Sequence, residues 1–324
     1  MIVTFTANPS VDATLSLESP FKRGEVQRPI CAHRSAGGKG VNVANALHRG
    51  GVSTIALFPA SAHDPFVALT QAAGIPFRNI SVESAVRTNT AVTEPDGTTT
   101  KLNEPGATLN NVNLKELEEL LVSFAPQATA IVLSGSLPPG APIDWYATLV
   151  GKCNEANPKA FTAVDTSDEP LKALAEQLHK CAPTLLKPNG FELGQLTGFD
   201  GETIECEAAH GNWRPAIKAA HPLLDAGVQE ILLTLGSAGA VLITADKAWQ
   251  ATPPPTQVVS TVGAGDCSLA GYLRARTSGE DQPTALRWAV AYGSAAAGLP
   301  GTEIPGPELA NFSETTVHTM STLT

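Results

Sequence analysis

Seven residues, Ser260-Thr261-Val262-Gly263-Ala264-Gly265-Asp266, run into the apolar stretch from Leu269 to Leu273. Small residues that lead into a helix leave backbone N–H groups without acceptors, and the helix dipole adds a fractional positive charge at the same point. Such a helix mouth suits a phosphate or a negative charge that develops during reaction. A carboxylate there, Asp266, is placed to take a proton from a hydroxyl as a phosphoryl group is transferred. The same residues also make an ordinary turn with Asp266 as N-cap, so on these positions alone both readings stand.

A second glycine cluster is Ser35-Ala36-Gly37-Gly38-Lys39-Gly40-Val41-Asn42-Val43-Ala44. It is not a Walker A loop, because Lys39 is followed by Gly40 rather than Ser or Thr. The glycines let a ligand approach the backbone, Lys39 offers a point charge and Asn42 can bond hydroxyls. The alternative is a loop that caps the following helix. In Lys187-Pro188-Asn189-Gly190-Phe191-Glu192, Lys187 can neutralise phosphate, while Asn189 and Glu192 can orient waters around Mg²⁺. The same spacing also fits a capping box between Asn189 and Glu192. Leu233 to Ala240 reads as strand, glycine turn and strand, either lying against a nucleotide or forming a plain hairpin. Ser134 to Gly140 reads as a loop at the C-terminal end of a strand, where open α/β sheets bind their ligands. Cys267 reads as a small packing residue.

The elements that must position these residues alternate along the chain. Short buried strands are expected at Ile2–Thr6, Thr54–Phe58, Ala130–Leu133, Phe161–Val164, Thr184–Leu186 and Ile231–Leu235. Helices are expected at Asn42–His48, Leu114–Phe124, Asp144–Val150, Pro170–Leu178, Glu192–Leu196 and Arg214–Ala226, then at Ala270–Arg276 and Ala285–Ala297. This alternation implies a mostly parallel sheet covered by helices on both faces. Two stretches break the rhythm, Asp12 to Arg34 and Arg87 to Leu102. The second reads as a hairpin around Glu94-Pro95-Asp96-Gly97, and the two together as a small β-sheet lid. Pro253-Pro254-Pro255 is too short to separate domains, so residues 1–324 read as a single domain with that lid. The polar stretch after Pro307 reads as partly frayed.

Composition narrows the function classes. A formal charge of −10 over 324 residues argues against nucleic-acid binding, which needs clustered Lys and Arg. No run of about twenty apolar residues suggests a membrane span, and the N-terminal residues lack the basic start of a secretory signal. The five cysteines are scattered without a C-x-x-C, and the seven histidines show no metal-ligand spacing. A cytoplasmic protein with reduced thiols is expected.

The order of these segments resembles the ribokinase-like carbohydrate kinases, in particular the phosphofructokinase B branch. The resemblance runs from Asn8-Pro9-Ser10-Val11-Asp12, through Gly37 to Ala44, Gly135-Ser136-Leu137-Pro138-Pro139-Gly140, Asp165-Thr166-Ser167 and Lys187-Pro188-Asn189 with Glu192. It continues to Thr261–Asp266 and Gly301-Thr302. It implies an α/β protein with the three-layer α/β/α ribokinase-like fold, a mostly parallel central sheet and a lid built from parts of 12–34 and 87–103. Asp266 is then the catalytic base, and Gly263, Ala264 and Gly265 form the anion hole. Asp12, Gly37, Gly38, Lys39, Asn42, Arg87, Asn103 and Ser136 hold the sugar. Lys187, Asn189, Thr234, Gly236, Ser237, Gly239 and Gly265 serve the nucleotide, and Glu192 with Asn189 serves the metal through water. The implied cofactors are ATP and Mg²⁺, with K⁺ as a further candidate, and the implied assembly is a homodimer through the lid.

Within the branch, the glycine cluster, Arg87-Thr88-Asn89-Thr90 and Thr98 to Gly106 resemble the 1-phosphofructokinase group. This implies D-fructose 1-phosphate as the acceptor, with Lys39, Arg87 and either Lys101 or Arg28 around its phosphate. Kinases of tagatose 6-phosphate and fructose 6-phosphate share most of these positions and remain rivals. A non-catalytic sugar- or nucleotide-binding protein is the rival of another class. The sequence departs from the pattern at Pro59–Asp64, where relatives carry a glycine-rich loop, and at Asp168, where a Gly commonly follows Asp-Thr-Ser.

Overall fold

A computed structural model describes residues 1–320. The chain begins with β1 (Ile2–Thr6), β2 (Ser10–Ser16), β3 (Cys31–Gly37), α1 (Lys39–Arg49), β4 (Thr54–Pro59), α2 (Pro65–Ala72) and β5 (Phe77–Ile80). A hairpin follows, β6 (Arg87–Thr93) and β7 (Thr99–Asn103), then α3 (Asn111–Phe124), β8 (Ala130–Ser134), α4 (Trp145–Ala156), β9 (Phe161–Asp165) and α5 (Asp168–Ala175). Next come β10 (Leu185–Leu186), α6 (Gly190–Thr197), α7 (Gly201–Ala209), α8 (Arg214–Asp225), β11 (Glu230–Thr234), β12 (Ala240–Ile243) and β13 (Ala248–Thr252). The chain closes with α9 (Ala264–Thr277), α10 (Gln282–Ala297) and β14 (Thr316–Met320).

Ten strands form the main sheet in the order β14-β13-β12-β11-β10-β9-β8-β1-β4-β5. The strands from β5 to β11 run parallel, and β11 to β14 pair antiparallel. Alternate side chains leave opposite faces of each strand. Val3, Phe5, Ile131, Leu133, Ile231 and Leu233 pack toward α3, α4, α5, α6, α7 and α8. Ile2, Ala130, Val132 and Leu232 pack toward α1, α9 and α10. Two apolar faces with a helical layer on each explain why these strands read as continuous hydrophobic runs. The three-layer α/β/α architecture is therefore the one expected from the sequence.

β2, β3, β6 and β7 form a separate four-stranded sheet in the order β3-β2-β6-β7. A third apolar cluster joins it to the main body. Val11 and Ala36 of the small sheet pack with Val41 and Ala44 of α1, Ala56 and Phe58 of β4, and Phe66 of α2.

The structure corrects several local expectations. The segment after Pro307 does not fray through its described length: Thr316–Met320 is an edge strand on β13, in the register Trp249↔Thr319. An edge strand with one face in solvent needs backbone partners rather than a hydrophobic run, so a polar sequence serves. β10 is confined to Leu185–Leu186 because prolines at 183 and 188 bracket it. α5 starts at Asp168 and ends at Ala175, short of Leu178. α2, β5 and α7 are additional elements that the sequence reading did not assign.

Candidate active site

The parallel strands deliver their C-terminal ends to one edge of the main sheet, and the chemistry-bearing residues gather there. Asp165 is the last residue of β9 and Lys187 follows β10 directly. Lys39 opens α1, after Gly38 at φ 98°, a backbone conformation that glycine adopts without strain. Gly40 sits so close to β1 that a Cβ there would lie 2.4 Å from Thr6 Oγ1 and 2.9 Å from the Phe5 carbonyl oxygen. The two glycines thus bring α1 against the strand ends.

One buried carboxylate engages both lysines. Lys39 Nζ donates to Asp165 Oδ1 at 2.7 Å, and Lys187 Nζ lies 3.1 Å from Asp165 Oδ2. Burial alone would push the Asp165 carboxyl upward, but the ammonium groups of Lys187 and Lys39 hold it below the usual carboxylate range. Burial likewise opposes the charge on Lys39, and Asp165 with Asp266 overcomes it, so this lysine is raised above its ordinary value.

Asp266 stands in the first turn of α9, with Gly263 at φ 79° as the N-cap. The helical ladder begins with Cys267 N donating to Gly263 O at 2.9 Å. The N–H groups of Gly265 and Asp266 therefore precede the first intrahelical bond and have no acceptor within the helix. Asn42 Nδ2 donates to Asp266 Oδ2 at 2.8 Å. Burial pushes the Asp266 carboxyl up to about 6, with Lys39 and the Asn42 bond opposing and Asp165 adding to the rise. Gly265 also meets Lys187, whose Nζ would lie 3.4 Å from a Cβ at that glycine. Asp266, Asn42, Lys39, Asp165, Lys187 and Gly265 are thus one connected group, assembled from α1, β9, the turn after β10, and α9.

The small sheet brings a second group. Asp12 Oδ1 accepts from Ser10 Oγ at 2.7 Å and from Asn89 Nδ2 at 3.4 Å. Gly37 is pressed onto that carboxylate, since a Cβ there would fall 2.2 Å from Asp12 Oδ2. Burial raises the Asp12 carboxyl above its usual range. The Arg87 guanidinium spans the gap to the main body: Nη2 donates to Asn8 O and Ser136 Oγ, and Nη1 to Glu104 O, each at 3.2 Å. Asp64 supports it from behind by capping α2 at Phe66 N and accepting from Val86 N, the residue before Arg87. The Pro59–Asp64 segment, which departs from the glycine-rich pattern, is therefore a structural support for the arginine strand. Between the small sheet and the segments 258–262 and 300–302 lies a cavity of about 690 Å³. Asp12, Asn89, Lys101, Asn103, Ser260 and Thr261 are among the residues lining it.

A third group borders the antiparallel end of the sheet. Asn189 and Glu192 form a capping box: Asn189 Oδ1 accepts from Glu192 N at 2.8 Å, and Glu192 Oε2 accepts from Asn189 N at 2.9 Å. Thr234 N donates to Pro188 O at 3.1 Å, which sets β11 beside this box. Gly236 and Ser237 lie in the 3₁₀ turn Gly236–Ala238 that joins β11 to β12, and Gly239 follows it, with Gly236 at φ 53° and Gly239 at φ 103°. The hairpin reading of this segment is therefore the geometry observed.

The sequence profile described as pfkB family carbohydrate kinase matches residues 6–309. The chain belongs to the pfkB family of carbohydrate kinases. As a pfkB-family kinase it is a phosphotransferase. It is 35% identical over 319 residues to a 1-phosphofructokinase of Haloferax volcanii, covering 98% of this chain and 97% of that one. A 1-phosphofructokinase of Rhodobacter capsulatus is 34% identical over 312 residues, 95% and 93% of the two chains. The structure of phosphofructokinase-2 from Escherichia coli in complex with potassium superposes with a TM-score of 0.85 at 27% identity, covering 96% and 98%. A ribokinase from Thermotoga maritima shares the fold, with a TM-score of 0.74 at 19% identity over 97% and 99% of the chains.

Several neighbours of the site in this pfkB-family chain carry little local sequence signal of a role. Asp165 is visible in the sequence only as part of Asp165-Thr166-Ser167. The available signal was a carboxylate closing a buried strand, a place where parallel sheets expose side chains to ligands. Asn8 is buried at the junction, its Nδ2 within 3.0 Å of Pro105 O and 3.3 Å of Ser136 Oγ. Asn89 stands in the Arg87–Thr90 motif without a role of its own until β6 pairs with β2, and Glu205 appears only once α7 packs on α6. Glu205 Oε1 accepts from Gly190 N at 2.9 Å.

Proposed function

We propose that this kinase transfers the γ-phosphoryl group of ATP to D-fructose 1-phosphate, giving ADP and fructose 1,6-bisphosphate. The observation that carries this reading is the Asp266 carboxylate. It is buried at the mouth of α9, oriented by Asn42 and raised to about 6, beside N–H groups without helical acceptors. A base poised near neutral pH at an anion-binding helix end suits removal of a hydroxyl proton during phosphoryl transfer. The 1-phosphofructokinase relatives supply the choice of acceptor.

In this reading the bond from the sugar C6 oxygen to the γ-phosphorus forms as the β,γ-bridging bond breaks. The hydroxyl proton passes to Asp266, and the electron pair leaves with ADP. Gly263, Ala264 and Gly265 direct backbone N–H groups at the transferred group. Asp12, Gly37, Gly38, Lys39 and Asn42 hold the sugar hydroxyls, while Arg87 and Ser136 take the 1-phosphate and Asn103 closes the cavity rim. Lys187, Asn189, Thr234, Gly236, Ser237 and Gly239 line the nucleotide.

Mg²⁺ fits the available donors. Asn189 and Glu192 are hard oxygen ligands, and both side chains are engaged in the capping box, which favours contact through water. When bound, the ion would neutralise phosphate charge. K⁺ is a further candidate cofactor in this reading, supported by the potassium complex of phosphofructokinase-2 from Escherichia coli.

Residues 1–324 act as a single domain in this reading, with the small sheet, which takes in parts of 12–34 and 87–103, as a lid over the cavity. Val26, Ile30 and Leu102 expose apolar surface on it, which supports a homodimer formed there. A cytoplasmic location goes with this reading; no helix among the described residues is long and apolar enough to cross a membrane.

The test is an ADP-release assay with ATP and Mg²⁺, comparing fructose 1-phosphate, fructose 6-phosphate, tagatose 6-phosphate, fructose and ribose. The highest kcat/KM is expected for fructose 1-phosphate. Preference for a 6-phosphate would move the acceptor assignment, and absence of turnover with all five would return the non-catalytic reading.

A further inference from the structure

We propose that Asp165 is a positioning residue that clamps Lys39 and Lys187 beside the Asp266 carboxylate, so that the charge balance of this trio sets the working state of the base. The inference rests on the reading of Asp266 as the proton acceptor. Its geometric basis is that one carboxylate at the end of β9 spends one oxygen on each lysine, at 2.7 and 3.1 Å. The lysines arrive from separate elements. Lys39 comes from the N-terminus of α1, which also carries Asn42, the hydrogen-bond partner of Asp266. Lys187 comes from the turn after β10 and reaches Gly265.

Neither lysine is held by its own backbone neighbourhood alone. Lys39 follows a glycine turn, and the Lys187 side chain is buried with its ammonium against Asp165. A buried ammonium without a counter-charge would be costly, and one shared carboxylate removes that cost for both. The groups facing Asp266 are Lys39 and Asn42 from α1, Asp165 from β9 and Lys187 from the turn after β10, with Cys267 adjacent on α9. Asp165 raises the Asp266 carboxyl while the lysines lower it, so removing Asp165 leaves two cations acting unopposed. Removing Lys187 acts in the other direction.

The test is the pH profile of kcat/KM for the purified full chain, read at its acid limb, for the wild type, Asp165→Asn, Lys187→Gln and the double variant. Asp165→Asn is expected to move the limb lower by about one pH unit and Lys187→Gln to move it higher, with the double variant returning close to the wild type. A role confined to stability would lower Tm without this opposed pair of shifts. Should Asp165→Asn fold poorly, Lys187→Gln and the double variant still decide the matter. Limbs that coincide in every variant, while Asp266→Asn still abolishes turnover, overturn the clamp alone. Full turnover in Asp266→Asn overturns the base reading and the clamp with it.

Discussion

Asn42 Nδ2 donates a 2.8 Å hydrogen bond to Asp266 Oδ2, joining positions 224 residues apart and locking the first turns of α1 and α9 to each other. The bond occupies one carboxylate oxygen and leaves the other for a ligand. Replacing Asp266 by Asn preserves shape and removes the proposed proton acceptor. Turnover is expected to fall by roughly 10³-fold or more, with sugar-phosphate affinity nearly unchanged. Steady-state kinetics paired with calorimetric binding check this; unchanged kcat would remove Asp266 from its role.

The protonation state of the same carboxyl sets a pH dependence. Burial raises it to about 6, and in its proposed role as base it works only when ionised. kcat/KM is therefore expected to fall as pH drops through about 6 and to level off above it. An acid limb nearer 4, the range of an ordinary carboxylate, would show that the buried environment does not govern the reaction.

Arg87 bridges the small sheet and the loop after β8 through Asn8, Ser136 and Glu104, and its Nε is buried without a partner. Arg87→Ala is expected to raise KM for fructose 1-phosphate by roughly 10²-fold, the scale of a lost charge-assisted contact, and to change KM for fructose far less. An equal effect on the neutral sugar would assign the arginine to scaffolding.

Gly37 leaves no room for a side chain beside Asp12, with a would-be Cβ 2.2 Å from its carboxylate. Gly37→Ala must displace Asp12 or part β2 from β3. A destabilisation of about 1–3 kcal/mol is expected from the overpacking, together with a raised KM for the sugar. Thermal melts and a substrate titration separate the two effects.

Asp168 holds φ 58°, the one non-glycine residue at positive φ among those described, at the position where the family pattern commonly places Gly. The turn geometry is thus retained with a residue that tolerates it. Asp168→Gly is expected to leave Tm close to the wild type, whereas Asp168→Ala costs about 1 kcal/mol. A melt in which Ala matches Gly would contradict the strain argument.

The sequence by itself determined the architecture and the two glycine-rich anchors. Continuous apolar strands alternating with amphipathic stretches admit only a sheet covered on both faces, and Gly263 to Asp266 ahead of an apolar run is legible as a helix mouth. Short-range chemistry of this kind is written in neighbouring residues. It also explains why the Asn189–Glu192 capping box could be read at its spacing, whereas the edge strand Thr316–Met320 could not. That strand exists because β13 offers it backbone partners, not because of its own side chains.

Tertiary structure alone decided which distant residues meet. Asp165 is one carboxylate among many in the sequence, and only the packing of β9 and β10 beside α1 makes it the shared partner of Lys39 and Lys187. Asn42 becomes the partner of Asp266 only when Gly40 lets α1 approach β1. The rise of Asp266 to about 6 follows from burial among those groups, a property of the assembled site that no local pattern encodes.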